Sequence, residues 1–334
     1  MIFKIGIDLG TANSNVYLPG KGVVLTEPTV VAYDEVFQKI IAVGNEAKEM
    51  IGKTPREIKI YRPLKEGVIA DYQATLAILR YFLRKIKITR FFKPIMVISV
   101  PAGITSTEKR AIIDAGLEAG AREVHPIKEP ILAALGAEMP IQNPLGNMIV
   151  NIGGGTTEIA VISLGGIVNF ESLKIAGDKM DEAIREYLRR KFNLAIGEKT
   201  AETIKIQIGS ALPLKNSKDE IKMNVYGVDY LTGLPKSIEL SSSQIAEAIS
   251  KELKEIVSGI KRVLASTPPE LVADIMERGM VLSGGGALLR EIDKLITFQT
   301  SIKAYIAENP LFAVARGTGK VLDKIEIYQK IIQS

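Results

Sequence analysis

A strand–turn–strand unit occurs twice in this chain, and that repetition constrains the fold more than any other feature. FKIGIDLGTANSNVYL, residues 3–18, runs from an apolar strand through a glycine turn into a second strand. NMIVNIGGGTTEIAVISL, residues 147–164, follows the same plan. Aligning the turns sets Asp8 opposite Asn151, Gly10 opposite Gly153 and Val16 near Ile159. A unit used twice points to two related halves. The length, 334 residues, exceeds what one compact core usually holds. Strands alternating with helices in each half indicate layered α/β architecture.

The intervening sequence supplies the other layers. Residues 71–86 carry a helical apolar stripe that includes Leu76, Leu79, Phe82 and Leu83. IMVISVP, residues 95–101, reads as a buried strand stopped by Pro101. Thr105 and Glu108 have capping-box spacing at the head of a helix. Pro130 fits the first helical position, with Glu129 at the cap. Residues 178–209 read as two helices, and 210–240 as polar, turn-rich strands. One long helix is expected across SSQIAEAISKELKEIVSGIKRVLAS, then the strand GMVLSG.

Composition removes several chemistries. There is no cysteine, and His125 is the single histidine, so disulfides, zinc clusters and a Ser-His-Asp triad are excluded. His125 itself reads as a strand-end or loop residue. The opening MIFKIGIDLGTA alternates and contains Lys4 and Asp8, unlike a secretory leader. No run of eighteen apolar residues occurs, so no membrane-spanning helix is expected. The net charge of +5 suits an anionic membrane surface or nucleic acid but requires neither.

Three glycine-rich turns each follow an apolar strand: Gly10-Thr11-Ala12-Asn13, Gly153-Gly154-Gly155-Thr156-Thr157 and Gly284-Gly285-Gly286-Ala287. Glycine lets the backbone approach a ligand, and successive N–H groups make an anion nest. The third leads towards ALLREIDKL, read as a helix whose N-terminus favours phosphate or a nucleotide edge. One such turn is equally a plain tight turn; three after three buried strands point to a nucleotide. Neither GxxxxGK[ST] nor a GxGxxG before a helix is present, which removes the P-loop and dinucleotide readings. Asp8 ends a buried strand beside the first turn, where a carboxylate needs a partner such as Mg²⁺ riding on phosphates. Glu129 at a helix start could merely favour the helix dipole.

At these residues the chain resembles the actin, Hsp70 and sugar-kinase superfamily. IGIDLGTANSNVYL and NIGGGTTEIAVISL are similar to its two phosphate motifs, VLSGGGALL to its adenosine motif and KEPILAALGAEMP to its connecting motif. Within it, the MreB/Mbl family is matched from about residue 2 to 325, through GKGVVLTEPTVVAY, RPLKEGVIADY, VPAGITSTEKRAIIDAGLEAGA, IAGDKMDEAI, IGEKTAETIKIQIG and STPPELVADIMERG. The resemblance implies an actin-like ATPase fold of two RNase H-like domains around a nucleotide cleft, each with a small inserted subdomain. It implies a first domain of residues 1–140, with an insertion near 32–66 and residues 312–334 returning to it, and a second of 141–311, with an insertion near 180–240.

The same resemblance implies ATP and Mg²⁺ as ligands and places Asp8, Glu129 and Thr156 in the chemistry. Asp8 and position 151 would hold the metal through water, and Glu129 the attacking water. Gly10, Thr11, Ala12, Asn13, Asn151, Gly153, Gly154, Gly155 and Thr156 would surround the phosphates. Gly177, Asp178, Glu202, Lys205, Gly284, Gly285, Gly286 and Ala287 would complete the nucleotide pocket, although Glu202 and Lys205 alone read as a solvated i,i+3 pair. It further implies a cytoplasmic, cell-shape filament of this chain with antiparallel protofilaments, peripheral on the inner face of an anionic membrane, partnered by membrane-bound cell-shape or cell-wall proteins and not by nucleic acid.

Two positions depart from the family pattern. Residue 151 is Asn where the pattern has Asp, and residue 128 is Lys where a second Glu is usual beside Glu129. Asn151 brings no charge to a metal, so slow hydrolysis is expected. KIKITRFFK, residues 85–93, sets Phe91 and Phe92 among four basic residues. The pair reads as an apolar wedge for an anionic bilayer, or else as a pair tucked into the core.

Overall fold

The computed structural model describes residues 3–65, 67–87, 93–213, 220–326 and 328. The two repeated units form antiparallel hairpins with the same register. Ile7 faces Val16 and Asp8 faces Asn15 in the first; Val150 faces Ile159 and Asn151 faces Glu158 in the second. Each hairpin nucleates a five-stranded sheet. In the first, Gly22–Pro28 extends the antiparallel side, and Ile95–Val100 then Glu123–Lys128 extend the other in parallel. The second repeats this order, with Gly166–Leu173 on one side and Met280–Ser283 then Ala304–Ile306 on the other. Parallel strands need crossovers, and helices Ser106–Ala119 and Ile292–Thr300 lie within those connections.

Strand sequences agree with their burial. Ile95–Val100 and Asn147–Ile152 are buried at every residue, as strands covered on both faces must be. Helix Tyr72–Lys85 buries Leu76 and packs Ile78, Leu79, Phe82 and Leu83 into the first sheet's core; it is capped by Asp71, whose side chain accepts from Ala74 N–H. Thr105 and Glu108 form the capping box that heads Ser106–Ala119. His125 lies within the strand Glu123–Lys128.

Smaller sheets stand apart from the main ones. Strands Val31–Asp34, Lys39–Val43 and Ile58–Tyr61 form one, beside helix Asn45–Met50. Leu194–Ala195, Lys222–Asp229 and Pro235–Ser241 form another, beside Gly177–Phe192 and Glu198–Ile208.

The halves are joined by a third core. Helices Glu129–Gly136 and Ala313–Asp323 cross so closely that a Cβ on Gly136 would lie 1.7 Å from the Ala313 carbonyl oxygen, and one on Gly317 2.0 Å from that of Leu132. Around them pack Val97 and Ile127 of the first sheet with Ile149, Ala160 and Ile162 of the second.

Three local expectations differ from the structure. Glu129 is the first helical residue, and Lys128 occupies the cap. The expected long helix is two, Ser242–Ala248 and Ser250–Ala265, broken at Ile249; Ser241 and Gln244 make a capping box that starts the first independently. The third glycine turn enters a short 3₁₀ segment, Gly285–Leu288, and the α-helix begins only at Ile292 after the left-handed Glu291. Phe91 and Phe92 lie outside the described residues.

Candidate functional site

The two repeated turns face each other across one cleft. A Cβ on Gly154 would lie 2.5 Å from that of Ala12, and one on Gly155 2.7 Å from Thr11 Oγ1. Only glycine permits this approach between two backbones from different halves. Each turn is braced from outside. Thr29 takes the first, its Oγ1 donating to the Gly10 carbonyl at 2.6 Å and its N–H to that of Ala12 at 3.0 Å. The start of helix Gly177–Phe192 takes the second, with the N–H groups of Gly177 and Asp178 on the carbonyls of Gly153 and Gly154. Gly284, at φ 79°, presses the third turn against the end of Asn147–Ile152, where a Cβ would meet the Ile152 carbonyl at 2.3 Å.

The cleft is a cavity of about 470 Å³, the size of a nucleotide site. Its lining includes Asp8, Gly10, Thr11, Ala12, Asn13, Glu129, Asn151, Gly153, Gly154, Gly155, Thr156, Gly177, Asp178, Glu202, Lys205, Gly284, Gly285 and Gly286. Ala287 is not among them: the 3₁₀ turn carries it into the second core, where it is fully buried. Apolar residues that the sequence reading did not single out, among them Ile206, Leu289, Leu311 and Phe312, wall part of the cavity. They come from three chain segments with no shared periodicity, so no sequence signal joins them. Asp181 also lines it, and its position one helical turn beyond Gly177 was the available clue.

Carboxylates crowd the base of the cleft. Asp8 accepts from Asn15 Nδ2 at 3.1 Å and Ser99 Oγ at 3.2 Å, yet burial pushes its carboxyl up to about 6. Glu129 is pushed well above the usual carboxylate range, first by burial and then by the charges of Glu158 and Asp8. Glu158 is fully buried behind the second turn, held by the Ala102 N–H at 3.1 Å and Ser172 Oγ at 2.5 Å. Asn151 sits in this cluster with its amide committed at both ends. Its Oδ1 accepts from Ser283 Oγ at 2.9 Å, and its Nδ2 approaches Glu129 Oε2 at 3.5 Å, the long end of hydrogen-bond range. The oxygen expected to face a metal-bound water therefore has one lone pair already engaged, and the nitrogen makes a donation that no aspartate could make.

At the other side of the cavity Lys205 Nζ donates to the Gly177 carbonyl and to Asp181 Oδ2, both at 2.8 Å. Burial raises the Asp181 carboxyl to about 6 despite Lys205. Burial likewise raises Asp178, against the pull of Arg62 and Lys205.

Residues 3–330 match the family model described as MreB/Mbl protein. The chain belongs to the MreB/Mbl family. It is 47% identical over 323 residues to the cell shape-determining protein Mbl of Bacillus subtilis, covering 96% of each. It is 46% identical over 331 residues to the cell shape-determining protein MreB of Escherichia coli K12, covering 97% of this chain and 94% of that one. Among solved structures it is similar to MreB5 of Spiroplasma citri bound to AMPPNP, with TM-score 0.93, 39% identity and 99% of this chain and 98% of that chain covered. A MamK double helical filament shares the fold at TM-score 0.81 and 21% identity, with 97% and 99% covered. This MreB/Mbl chain thus has the actin-like fold, its two five-stranded sheets flanking the cleft. Among the described residues no helix is long and apolar enough to cross a membrane.

Proposed function

We propose that this chain binds Mg-ATP in the cleft, polymerises into cell-shape filaments on the inner face of the membrane, and hydrolyses ATP slowly. The carrying observation is the pair of glycine turns in contact across the cleft, with Asp8, Glu129 and Asn151 lining the same cavity. Backbone nests from both halves fit a polyphosphate, and the apolar wall with Glu202 and Lys205 fits a nucleoside. The names of its relatives support the cell-shape role, and the S. citri structure with AMPPNP supports the ligand. We assign residues 1–140 with the C-terminal segment from about 312 to one domain and 141–311 to the other.

The donor set fits Mg²⁺. Asp8 is a half-buried carboxylate without a cation partner among its hydrogen bonds, and hard oxygen donors suit this ion. Among the described residues no group of three or more acidic or histidine side chains is placed to hold a metal alone, so phosphates would supply most of the ligands. Asp8, with Asn151 through water, would hold the ion, which would offset charge on the transferring phosphoryl group. Glu129 would orient the attacking water, and Thr156 would bind phosphate beside it. Asn151 brings no charge and donates towards Glu129, which supports slow turnover.

Self-association would run head to tail, a contact that does not close and so propagates, with protofilaments paired antiparallel. Phe91 and Phe92 would enter the headgroup boundary, and a filament would multiply that weak contact. Membrane-bound cell-shape or cell-wall proteins would be its further partners. The test combines calorimetric titration of ATP with Mg²⁺, light scattering, and electron microscopy with and without anionic liposomes. A chain that neither binds ATP nor forms filaments under any of these conditions would refute the reading.

A further inference from the structure

Beside the cleft the two halves meet through two ion pairs, one of which ends on Glu202 of the nucleotide lining. Lys48, on helix Asn45–Met50, places Nζ 2.9 Å from Oε2 and 3.1 Å from Oε1 of Glu202. Glu202 stands on Glu198–Ile208 and lines the nucleotide cavity, whereas Lys48 does not. Arg62 pairs with Glu198 at the start of the same helix. Glu198 and Glu202 are i,i+4 neighbours on one helical face, and each is answered by a cation from the first half.

Both ends of this contact are tied to the cleft lining. On the first-half side the Gly44 N–H donates to the Val30 carbonyl at 2.9 Å and the Asn45 N–H to Glu27 Oε2 at 2.8 Å. Thr29, beside Val30, braces the first phosphate turn through Gly10. On the second-half side Lys205, three residues after Glu202, holds Gly177 and Asp181. A displacement of Lys48 relative to Glu202 is thus a displacement of one wall of the cleft relative to the other.

Between these groups lies a small hollow of about 20 Å³, room for a single water. Lys48 and Arg62 line it from the first half; Asp178, Asp181, Glu198 and Glu202 line it from the second. Asp181 Oδ1 has no protein partner and is buried. Acidic groups outnumber the first-half cations here. Removing one first-half cation leaves one acidic partner on the second-half face unanswered and weakens the attraction between the halves.

We infer that Lys48 is a positioning residue for the nucleotide: it fixes the Glu202 carboxylate in the cleft and, together with Arg62, clasps the two halves over the bound ligand. The inference rests on the nucleotide reading above. Release of nucleotide then requires both ion pairs to open, so occupancy and closure are coupled in one step.

The experiment loads the full chain with a fluorescent ATP analogue and Mg²⁺ and chases with unlabelled ATP. Lys48→Ala should release nucleotide roughly two- to fivefold faster, the range open to partly exposed ion pairs. Lys48→Arg should restore the parental rate. Added salt should speed release from the parent more than from Lys48→Ala, which keeps only the Arg62–Glu198 pair to be screened. Arg62→Ala should behave as Lys48→Ala does. Parental release rates in both alanine variants would overturn the inference, as would a Lys48→Arg variant as fast as Lys48→Ala. A parent that takes up no labelled nucleotide would overturn the nucleotide reading itself and this inference with it.

Discussion

At the scale of single residues, Asn151 carries the most specific prediction. The carboxylates of Asp8, Glu129 and Glu158 already interact, and burial disfavours the charge on each. Asn151→Asp would place a fourth acid there, remove the donation towards Glu129 and keep the Ser283 hydrogen bond. In nucleotide-free protein the variant should lose about 1–3 kcal/mol of stability, and saturating Mg-ATP should restore it. Phosphate release should rise roughly ten- to a hundredfold, as for recovery of one electrostatic contact in phosphoryl transfer. Equal or slower release by the Asp variant would show that Asn151 does not limit hydrolysis. A second prediction concerns pH. Asp8 and Asp181 titrate near 6 in the folded chain, above the ordinary 3.8. Raised carboxyls mean that the folded chain keeps protons which the unfolded chain releases across that window. Their contribution is therefore fully present below 3.8 and lost as pH rises through about 6. Asp229, held at about 2 chiefly by Lys236, is ionised in folded and unfolded chains alike between about pH 5 and about pH 7 and adds little opposing slope there. Asp181→Asn should flatten the rise in nucleotide-free melting temperature between about pH 7 and about pH 5; a variant with the parental slope would contradict the assignment.

At the scale of elements, the contact between helices Glu129–Gly136 and Ala313–Asp323 sets the geometry of the cleft base. The first helix begins with Glu129, and the residues at the start of the second, Phe312 and Val314, line the cavity. Gly317→Val would force the helices apart against a backbone carbonyl, which cannot give way as a side-chain tip can. It should destabilise by about 1–3 kcal/mol, the usual cost of overpacking, and weaken ATP binding at the same time. Loss of stability with unchanged ATP affinity would separate this helix pair from the site. The facing turns make a cleaner case. Gly154→Ala would collide with the Ala12 side chain across the cleft. It should lower ATP affinity markedly while far-ultraviolet circular dichroism stays parental; full ATP affinity would mean that the turns do not close on the ligand as placed here.

At the scale of the whole molecule, the proposed wedge at Phe91 and Phe92 separates assembly from membrane binding. Changing both to Ser should release the protein from anionic liposomes in co-sedimentation while light scattering still reports polymer. Basic residues beside the pair add on the order of 1 kcal/mol each near an anionic surface, so added salt should weaken parental binding. Unchanged co-sedimentation of the double variant would count decisively against the wedge.

The sequence by itself determined the duplicated hairpins, their shared register and the existence of glycine turns after buried strands. These are local properties: alternation, β-branched runs and turn chemistry act over a few residues. It also marked the part of the cavity lining that falls within or beside the turns, whereas Gly177, Asp178, Glu202 and Lys205 were marked only by the family resemblance. It did not determine the break at Ile249, where the apolar stripe runs on and no side-chain cap marks the start of the second helix. It placed Ala287 in the site because the turn's residues are contiguous in sequence, whereas the 3₁₀ geometry rotates that side chain into the core. Only the tertiary structure set Asn151 between Ser283 and Glu129, and Lys48 against Glu202. Those partners lie 132, 22 and 154 residues apart, and pairing at such separations is decided by how the two sheets pack, which no short-range pattern encodes.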